Sequence, residues 1–313
     1  MRLALMIEGQ EGVTWEHWQS LAATGERLGF EALLRSDHYL SVDGRRERGA
    51  LDAWGTINAL AATTRAIRLG TLVSPATFRH PSMLAKLAVT ADHISGGRVE
   101  VGIGSGWLEA EHRAYGFAFP PLRVRIDRLA EQLEIIRGSW APGPFTLHGE
   151  HWRVEDLDAL PKPAQQPHPP LIMGGGAGPR SASLAARHAT EYNVVHADPG
   201  SAAEARDRLD AACEAAGRDP ATLRFSLMDG FLVGADEADL RARADRLAEW
   251  RGDAVDLDEL ARTWIVGTPE RVVARLREYA DAGVERVMLQ HHLYEDDDAL
   301  ELIASEVAPA LAG

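Results

Sequence analysis

The stretch ADHISGGRVEVGIGSGW, Ala91–Trp107, passes from helix to strand to glycine-rich turn within seventeen residues. Ala91 continues the i, i+3, i+4 spacing of Leu84, Leu87 and Ala88, which marks one buried helical face. Ser95-Gly96-Gly97 stops that helix, because glycine accepts the left-handed conformation that closes a last helical turn. Val99–Ile103 is then a short apolar run, as expected of a strand buried on both faces of a parallel sheet. Gly104, Ser105 and Gly106 follow it, and then Trp107.

Outward from this unit the same alternation continues in both directions. The apolar runs are Leu3–Ile7, Phe30–Leu34, Ile67–Val73, Val99–Ile103, Leu171–Met173, Tyr192–Val195, Leu223–Val233 and Val284–Leu289. Amphipathic stretches lie between them. Trp18, Leu21, Ala22, Gly25 and Leu28 form one stripe, and Ile126, Leu129, Leu133 and Ile136 another. Val272, Leu276, Tyr279 and Ala280 form a further one, opened by Thr268 as cap and Pro269 at the first helical position. Eight runs predict a closed α/β barrel, a (β/α)8 TIM barrel, over an open sheet. Two segments sit outside the alternation, at about 140–169 and about 234–263. Removing these roughly 60 residues from 313 leaves the ~250 of a typical eight-fold barrel. The chain thus reads as one domain, 1–313, with two insertions. The proline-rich first insertion is expected to be an ordered loop or lid, and Asp236–Trp250 of the second an extra surface helix.

Composition narrows the function. With 33 Lys and Arg against 47 Asp and Glu, the net charge of −14 argues against a nucleic-acid binder, which needs a basic face. One cysteine, Cys213, rules out an internal disulfide framework and a cysteine zinc cluster. Met1–Ile7 is too short for a signal-peptide core, and no segment approaches the ~20 apolar residues of a membrane span. The expectation is a cytoplasmic protein with no membrane partner.

In such a barrel the active face lies where strands end and helices begin. That rule collects Glu8, Ser36–His38, Ser74–His80, Gly104–Glu111, Gly174–Arg180, His196–Pro199 and Gln290–His292. Gly174-Gly175-Gly176-Ala177-Gly178 lets backbone N–H groups approach an anion at a helix start, with Arg180 adding charge. The alternative there is a tight turn. Gly102-Ile103-Gly104-Ser105-Gly106-Trp107 fails the dinucleotide fingerprint, which needs glycine where Trp107 stands. It offers instead bare backbone beside an indole, suited to a flat ring. Asp37-His38 sets a histidine beside a carboxylate, a combination for proton transfer. Glu109, Glu111 and His112 open the next helix, either as dipole partners or as a proton donor. No metal-binding spacing is present. His148 and His151 belong to the proline-rich loop, and of His291 and His292 only one is expected to face the pocket.

Taken together and in order, these segments resemble the bacterial luciferase-like flavin and deazaflavin oxidoreductases. The resemblance runs through Ala23–His38, Ser74–Pro81, Ala91–Trp107, Glu111–Pro120, Arg123–Ile136, Pro161–Arg180 (PKPAQQPHPPLIMGGGAGPR) and Val266–Val272 (VGTPERV). SDHY, TFRHP and GSGW, followed by Glu111 and Tyr115-Gly116, look most like the branch that uses coenzyme F420. The resemblance implies a TIM barrel and F420, with FMN as the alternative cofactor. It places Asp37 and His38 near the deazaflavin ring and substrate, and Val73-Ser74 at a bulge that in relatives holds a non-proline cis peptide. Pro75 directly after Ser74 is a departure that shifts where such a bulge can fall. Gly104, Ser105, Gly106 and Trp107 match the cofactor segment, Glu111 the family's recurrent glutamate, and Gly174, Gly175, Gly176 and Ala177 the phosphate turn.

The implied activity is hydride transfer between C5 of F420 and a small organic substrate. His38 and Glu111 are the acid/base candidates, Asp37 orients His38 or the ring, and Trp107 and Trp54 are aromatic walls. Arg79, His80, Arg180 and the loop Arg45-Arg46-Glu47-Arg48 are candidates to meet the acidic cofactor tail. The alternatives are an FMN-dependent monooxygenase using reduced flavin and O2, and a cofactor-binding protein without catalysis. A homodimer, and a separate enzyme that reduces the cofactor, complete the expected partners.

Overall fold

Alternating side chains decide how the runs assemble. The computed structural model describes residues 1–311 and joins the eight runs into a closed parallel ring. Its strands are β1 (Arg2–Ile7), β2 (Ala32–Arg35), β3 (Arg68–Thr71), β4 (Val99–Gly104), β5 (Leu171–Gly174), β6 (Glu191–Val195), β7 (Arg224–Val233) and β8 (Arg286–Gln290). Each pairs in parallel with the next, and β8 closes on β1 with Arg2 opposite Arg286 and Met6 opposite Gln290. This is the (β/α)8 barrel expected from the sequence.

Successive strand residues point to opposite faces, so each strand contributes to two cores. Leu3, Leu5, Ile7 and Leu33 pack outward under the helices, together with Trp18, Leu21, Ile57 and Leu84. Ala4, Met6, Ala32, Leu34, Ile172, Met228 and Met288 fill the barrel interior. The interior is layered. Below those residues Arg286 is buried among Glu100 at 2.7 Å, Glu191 at 3.3 Å and Glu31 at 2.9 Å. Above them the interior-facing positions turn polar or glycine, which opens a cavity at the C-terminal mouth.

Helix ends follow their local chemistry. Pro81–Ser95 closes at Gly96 in the left-handed region, as its glycine stop predicts. Thr268 does precede Pro269–Asp281, but its hydroxyl turns to Glu270 at 2.8 Å and leaves the helix amides uncapped.

The first insertion departs from expectation, whereas the second holds the surface helix expected at Asp236–Trp250 and a further short one. The first is a β-hairpin, not a lid loop: Phe145–His148 pairs antiparallel with Arg153–Leu157. Its prolines cluster in the flanks and leave 145–157 free to pair. The turn is tied down by Glu131, which accepts from the N–H groups of Glu150 (2.8 Å), His151 and Trp152 (2.8 Å). The second holds two helices, Glu237–Arg251 and Leu257–Thr263, around their own small core of Leu240, Ala244, Leu247 and Leu260. No helix among the described residues is long and apolar enough to cross a membrane.

Candidate active site

The interior faces of the strands, continued past their ends, generate the site. Ala4, Met6 and then Glu8 follow one face of β1; Ala32, Leu34 and Ser36 one face of β2; Met288 and Gln290 one face of β8. Glu8, Ser36 and Gln290 accordingly line a cavity of about 470 Å³, with His38, Trp107 and His196 at its walls. That volume lies within the usual range for a small-molecule site.

His38 is the best-defined chemical group there. Its Nδ1 lies 2.7 Å from Oε1 of Glu111, a fully buried carboxylate that also accepts the Tyr39 N–H at 2.9 Å. Burial alone lowers the His38 pKa, but the hydrogen bond and charge of Glu111, with Glu8 and Asp37 behind, raise it above the ordinary histidine value. With Nδ1 engaged, Nε2 is the nitrogen left to the cavity. Trp107 is 62% exposed and stands edge-on to the His38 ring, centroids 5.6 Å apart.

The carboxylates therefore sit differently from the sequence expectation. Asp37 does not touch His38. It accepts from Arg79 at 2.5 and 3.1 Å and from the Ser74 hydroxyl at 2.6 Å, and lies outside the cavity lining. Glu111, expected as a second acid/base in the pocket, lies behind His38 and orients it. Trp54 is core, not wall; its Nε1 donates to the Ser74 hydroxyl at 3.0 Å.

One wall is nearly all backbone. The Leu72–Val73 peptide bond is cis, and Ser74–Pro75 rejoins the sheet beside Ile103 and Gly104. A Cβ on Gly104 would stand 2.7 Å from Val73 Cγ2, and one on Gly174 would stand 3.3 Å from Val73 Cγ1. Gly106 has φ +80° and lies against Thr77 and Pro75. These glycines keep a smooth surface beside Val73, Ser105 and Trp107, and the residues present thus fit a flat fused-ring cofactor.

The glycine turn is split in its placement. Gly174 and Gly175 line the cavity, Gly176 is exposed, and Ala177 is buried at φ +50° with its N–H donated to the Tyr192 hydroxyl at 2.9 Å. Arg180 points away, pairing with Asp127, so it adds no charge at the turn. Arg79 is held by Asp37 and Asp52, and His80 stacks edge-on against Trp152. In the basic loop, Arg45 bonds the Arg251 carbonyl and Arg48 packs on Trp250 and Glu11, which leaves Arg46 exposed. Neither His291 nor His292 faces the cavity: β8 ends at Gln290, and the two rings stack on Phe231 and Trp264. Glu109 is exposed at the start of its helix, and His112 is buried against Thr77 at 2.6 Å.

Glu8, Ser36, Val42, Asn193, Val195, Met228, Gln290 and His196 complete the lining. The sequence analysis placed Glu8, Ser36, His196 and Gln290 on the rim without singling them out. The period-2 pattern of each strand, extended one or two residues, was the signal for Glu8, Ser36 and Gln290, whereas His196 breaks it by turning at φ +50°.

Residues 3–286 match the luciferase-like monooxygenase family model. The chain is 30% identical to the F420-dependent hydroxymycolic acid dehydrogenase of Mycobacterium tuberculosis, over 93% of this chain and 83% of that one. It is also 30% identical to the FMNH2-dependent dimethylsulfone monooxygenase of Pseudomonas putida, over 53% and 46% of the two chains. Among solved structures, the monooxygenase RslO1 of Streptomyces bottropensis superposes with a TM-score of 0.84 at 25% identity, covering 99% of this chain and all of the other. With this fold, and with a match along nearly its whole length, the chain belongs to the bacterial luciferase-like family of oxidoreductases.

Proposed function

We propose that the protein is an F420-dependent oxidoreductase acting on a small organic substrate. The observation that carries this reading is the His38–Glu111 pair at the cavity wall. Taking a hydride from an alcohol carbon obliges the hydroxyl to lose a proton, and returning one to a carbonyl obliges the oxygen to gain one. His38 Nε2 takes or gives that proton, while Glu111 fixes the ring and stabilises its protonated form. F420, when bound, supplies a two-electron hydride carrier at C5. Val73, Gly104, Ser105, Gly106 and Trp107 would form its ring surface and Gly174–Gly176 its phosphate turn, with Ala177 holding the turn's shape through its bond to the Tyr192 hydroxyl. Ser74, which is buried, acts from behind by linking Asp37 to Trp54. The F420-dependent relative, aligned across most of both chains, supports this reading, and the FMNH2-dependent relative keeps FMN as the alternative cofactor. A homodimer in the cytoplasm fits the same reading, and in the direction that reduces a carbonyl a separate enzyme would supply the reduced cofactor.

Quenching of the protein's tryptophans on titration with F420 and with FMN, each oxidised and reduced, is the test. Saturable F420 binding with little response to FMN is expected, and preference for reduced FMN would move the protein to oxygen insertion. His38→Ala is expected to bind F420 normally and lose turnover; full turnover in that variant refutes the proton-transfer role.

A further inference from the structure

The cavity has a second histidine–carboxylate pair, on the far side of the barrel from the first. His38 follows β2 and His196 follows β6, four steps apart in a ring of eight. His196 Nδ1 lies 2.9 Å from Oδ1 of Asp229 on β7, and its ring is 44% exposed at the cavity. Asp229 is fully buried; Oδ1 also accepts the Gly230 N–H at 2.9 Å, and Oδ2 lies 3.4 Å from the Tyr279 hydroxyl. The His196 backbone adopts φ +50°, and its N–H donates to the Met228 carbonyl at 3.0 Å. A left-handed non-glycine residue costs about 1–2 kcal/mol. Here the chain turns at that residue, and the ring lies back over β7 on Asp229. A residue that merely ended a strand would need neither that turn nor a buried carboxylate beneath its ring.

The charge of the lining limits what this second pair can hold. Among the described residues, no lysine or arginine lines the cavity. Its one carboxylate, Glu8, has both oxygens engaged, by the side-chain amides of Gln10 at 2.7 Å and Gln290 at 2.6 Å. A phosphate or carboxylate on the substrate would be desolvated there beside a carboxylate, with no permanent cation to compensate. An uncharged hydroxyl meets no such penalty. With Nδ1–H donated to Asp229, the His196 Nε2 lone pair is free to accept from it.

We propose that His196, oriented by Asp229, is a specificity-determining residue that accepts a second hydroxyl, so that the substrate is an uncharged, largely apolar compound oxygenated at both ends. This rests on the oxidoreductase reading above only in that the end at His38 is the one oxidised.

The test uses the full chain and three probes that share a ring: cyclohexanol, trans-1,4-cyclohexanediol and 4-hydroxycyclohexanecarboxylate. Binding is read by tryptophan fluorescence, with Trp107 in the cavity wall, and oxidation separately by the loss of F420 absorbance. The diol is expected to bind about tenfold more tightly than cyclohexanol, the effect of one well-made hydrogen bond, and the carboxylate no more tightly. His196→Ala and Asp229→Asn should each bring the ratio of diol to cyclohexanol affinity down to about one. His196→Gln, which keeps an acceptor, should restore part of the diol advantage, and that separates recognition from misfolding. The proposal is overturned by equal binding of diol and cyclohexanol, by no saturable diol binding, by an advantage that survives His196→Ala, or by tightest binding of the carboxylate. A diol advantage with no F420 reduction for any probe would instead retain the recognition pair and overturn the F420 reading.

Discussion

Replacing Glu111 with glutamine keeps its shape and removes one acceptor, and the structure fixes what that should do. Glu111 accepts two hydrogen bonds at once while fully buried, from His38 Nδ1 and from the Tyr39 N–H. An amide has one acceptor oxygen and a donor NH2, so it can serve only one of them. If its oxygen faces Tyr39, the NH2 meets His38 Nδ1, moves the ring proton to Nε2 and expels the imidazolium. If its oxygen faces His38, the NH2 confronts the Tyr39 N–H and a buried donor is stranded, which costs about 1–3 kcal/mol. In either orientation the largest opposing charge is gone, only Glu8 and Asp37 remain against burial, and the His38 pKa falls. The sign of the pH dependence follows. A histidine raised in the folded state contributes stability that is complete below its unfolded pKa, about 6.5, and is lost as pH rises through the folded value. The destabilisation by Glu111→Gln should therefore be largest near pH 6 and shrink toward pH 9, and turnover should fall by about a hundredfold, the low end for a general acid or base. Urea denaturation at several pH values gives the first, and the NMR titration of the His38 ring gives the shift directly. Glu109→Gln, two residues earlier and exposed, is the matched control and should change neither. A stability loss independent of pH, or an unshifted His38 titration, would refute the reasoning.

Three further perturbations address other layers of the barrel. Gly104→Ala should fold with reduced stability and weaken cofactor binding measured by tryptophan quenching, because its Cβ would press on Val73 at 2.7 Å; unchanged binding would show that this wall does not contact the ring. Arg286→Met leaves Glu100 and Glu191 buried without their shared cation and should cost about 3–5 kcal/mol in chemical denaturation; a loss under 1 kcal/mol would mean that water or Arg68 and Arg224 neutralise the floor. His291 is buried, and burial pushes its pKa down to about 4. A depressed histidine contributes stability that is present above its unfolded pKa and lost as pH falls through the folded one, here about 3 kcal/mol between pH 6.5 and 4. His291→Phe should therefore flatten acid unfolding over that window, and an unchanged acid profile would exclude His291 as its source.

How much of this was legible beforehand depends on the range of the interaction concerned. Strand and helix identity rests on spacing within a few residues, so Ala91–Trp107 already contained its helix stop, its strand and its glycine wall. The rim followed from topology, since every βα junction of a parallel barrel opens on one face. Partner choice did not follow. Asp37 is adjacent to His38 in sequence, yet neighbouring residues leave a strand end in different directions, and Arg79 and Ser74 capture it. Glu111, 73 residues away, reaches His38 because β4 runs two places from β2 and its following helix leans over the mouth. The same holds for Arg180, whose charge is spent on Asp127 of a neighbouring helix, and for His196, whose carboxylate lies 33 residues on. A charge in sequence is therefore a candidate, and the fold decides whether it faces the ligand, another side chain or solvent. In this barrel the decision is systematic: arginines near the mouth, Arg79 and Arg180, are bound to aspartates, and the cavity keeps histidines backed by buried carboxylates. Such a lining suits protons and uncharged substrate oxygens, and it leaves any phosphate to the backbone N–H groups of the glycine turn that opens at Gly174 and Gly175.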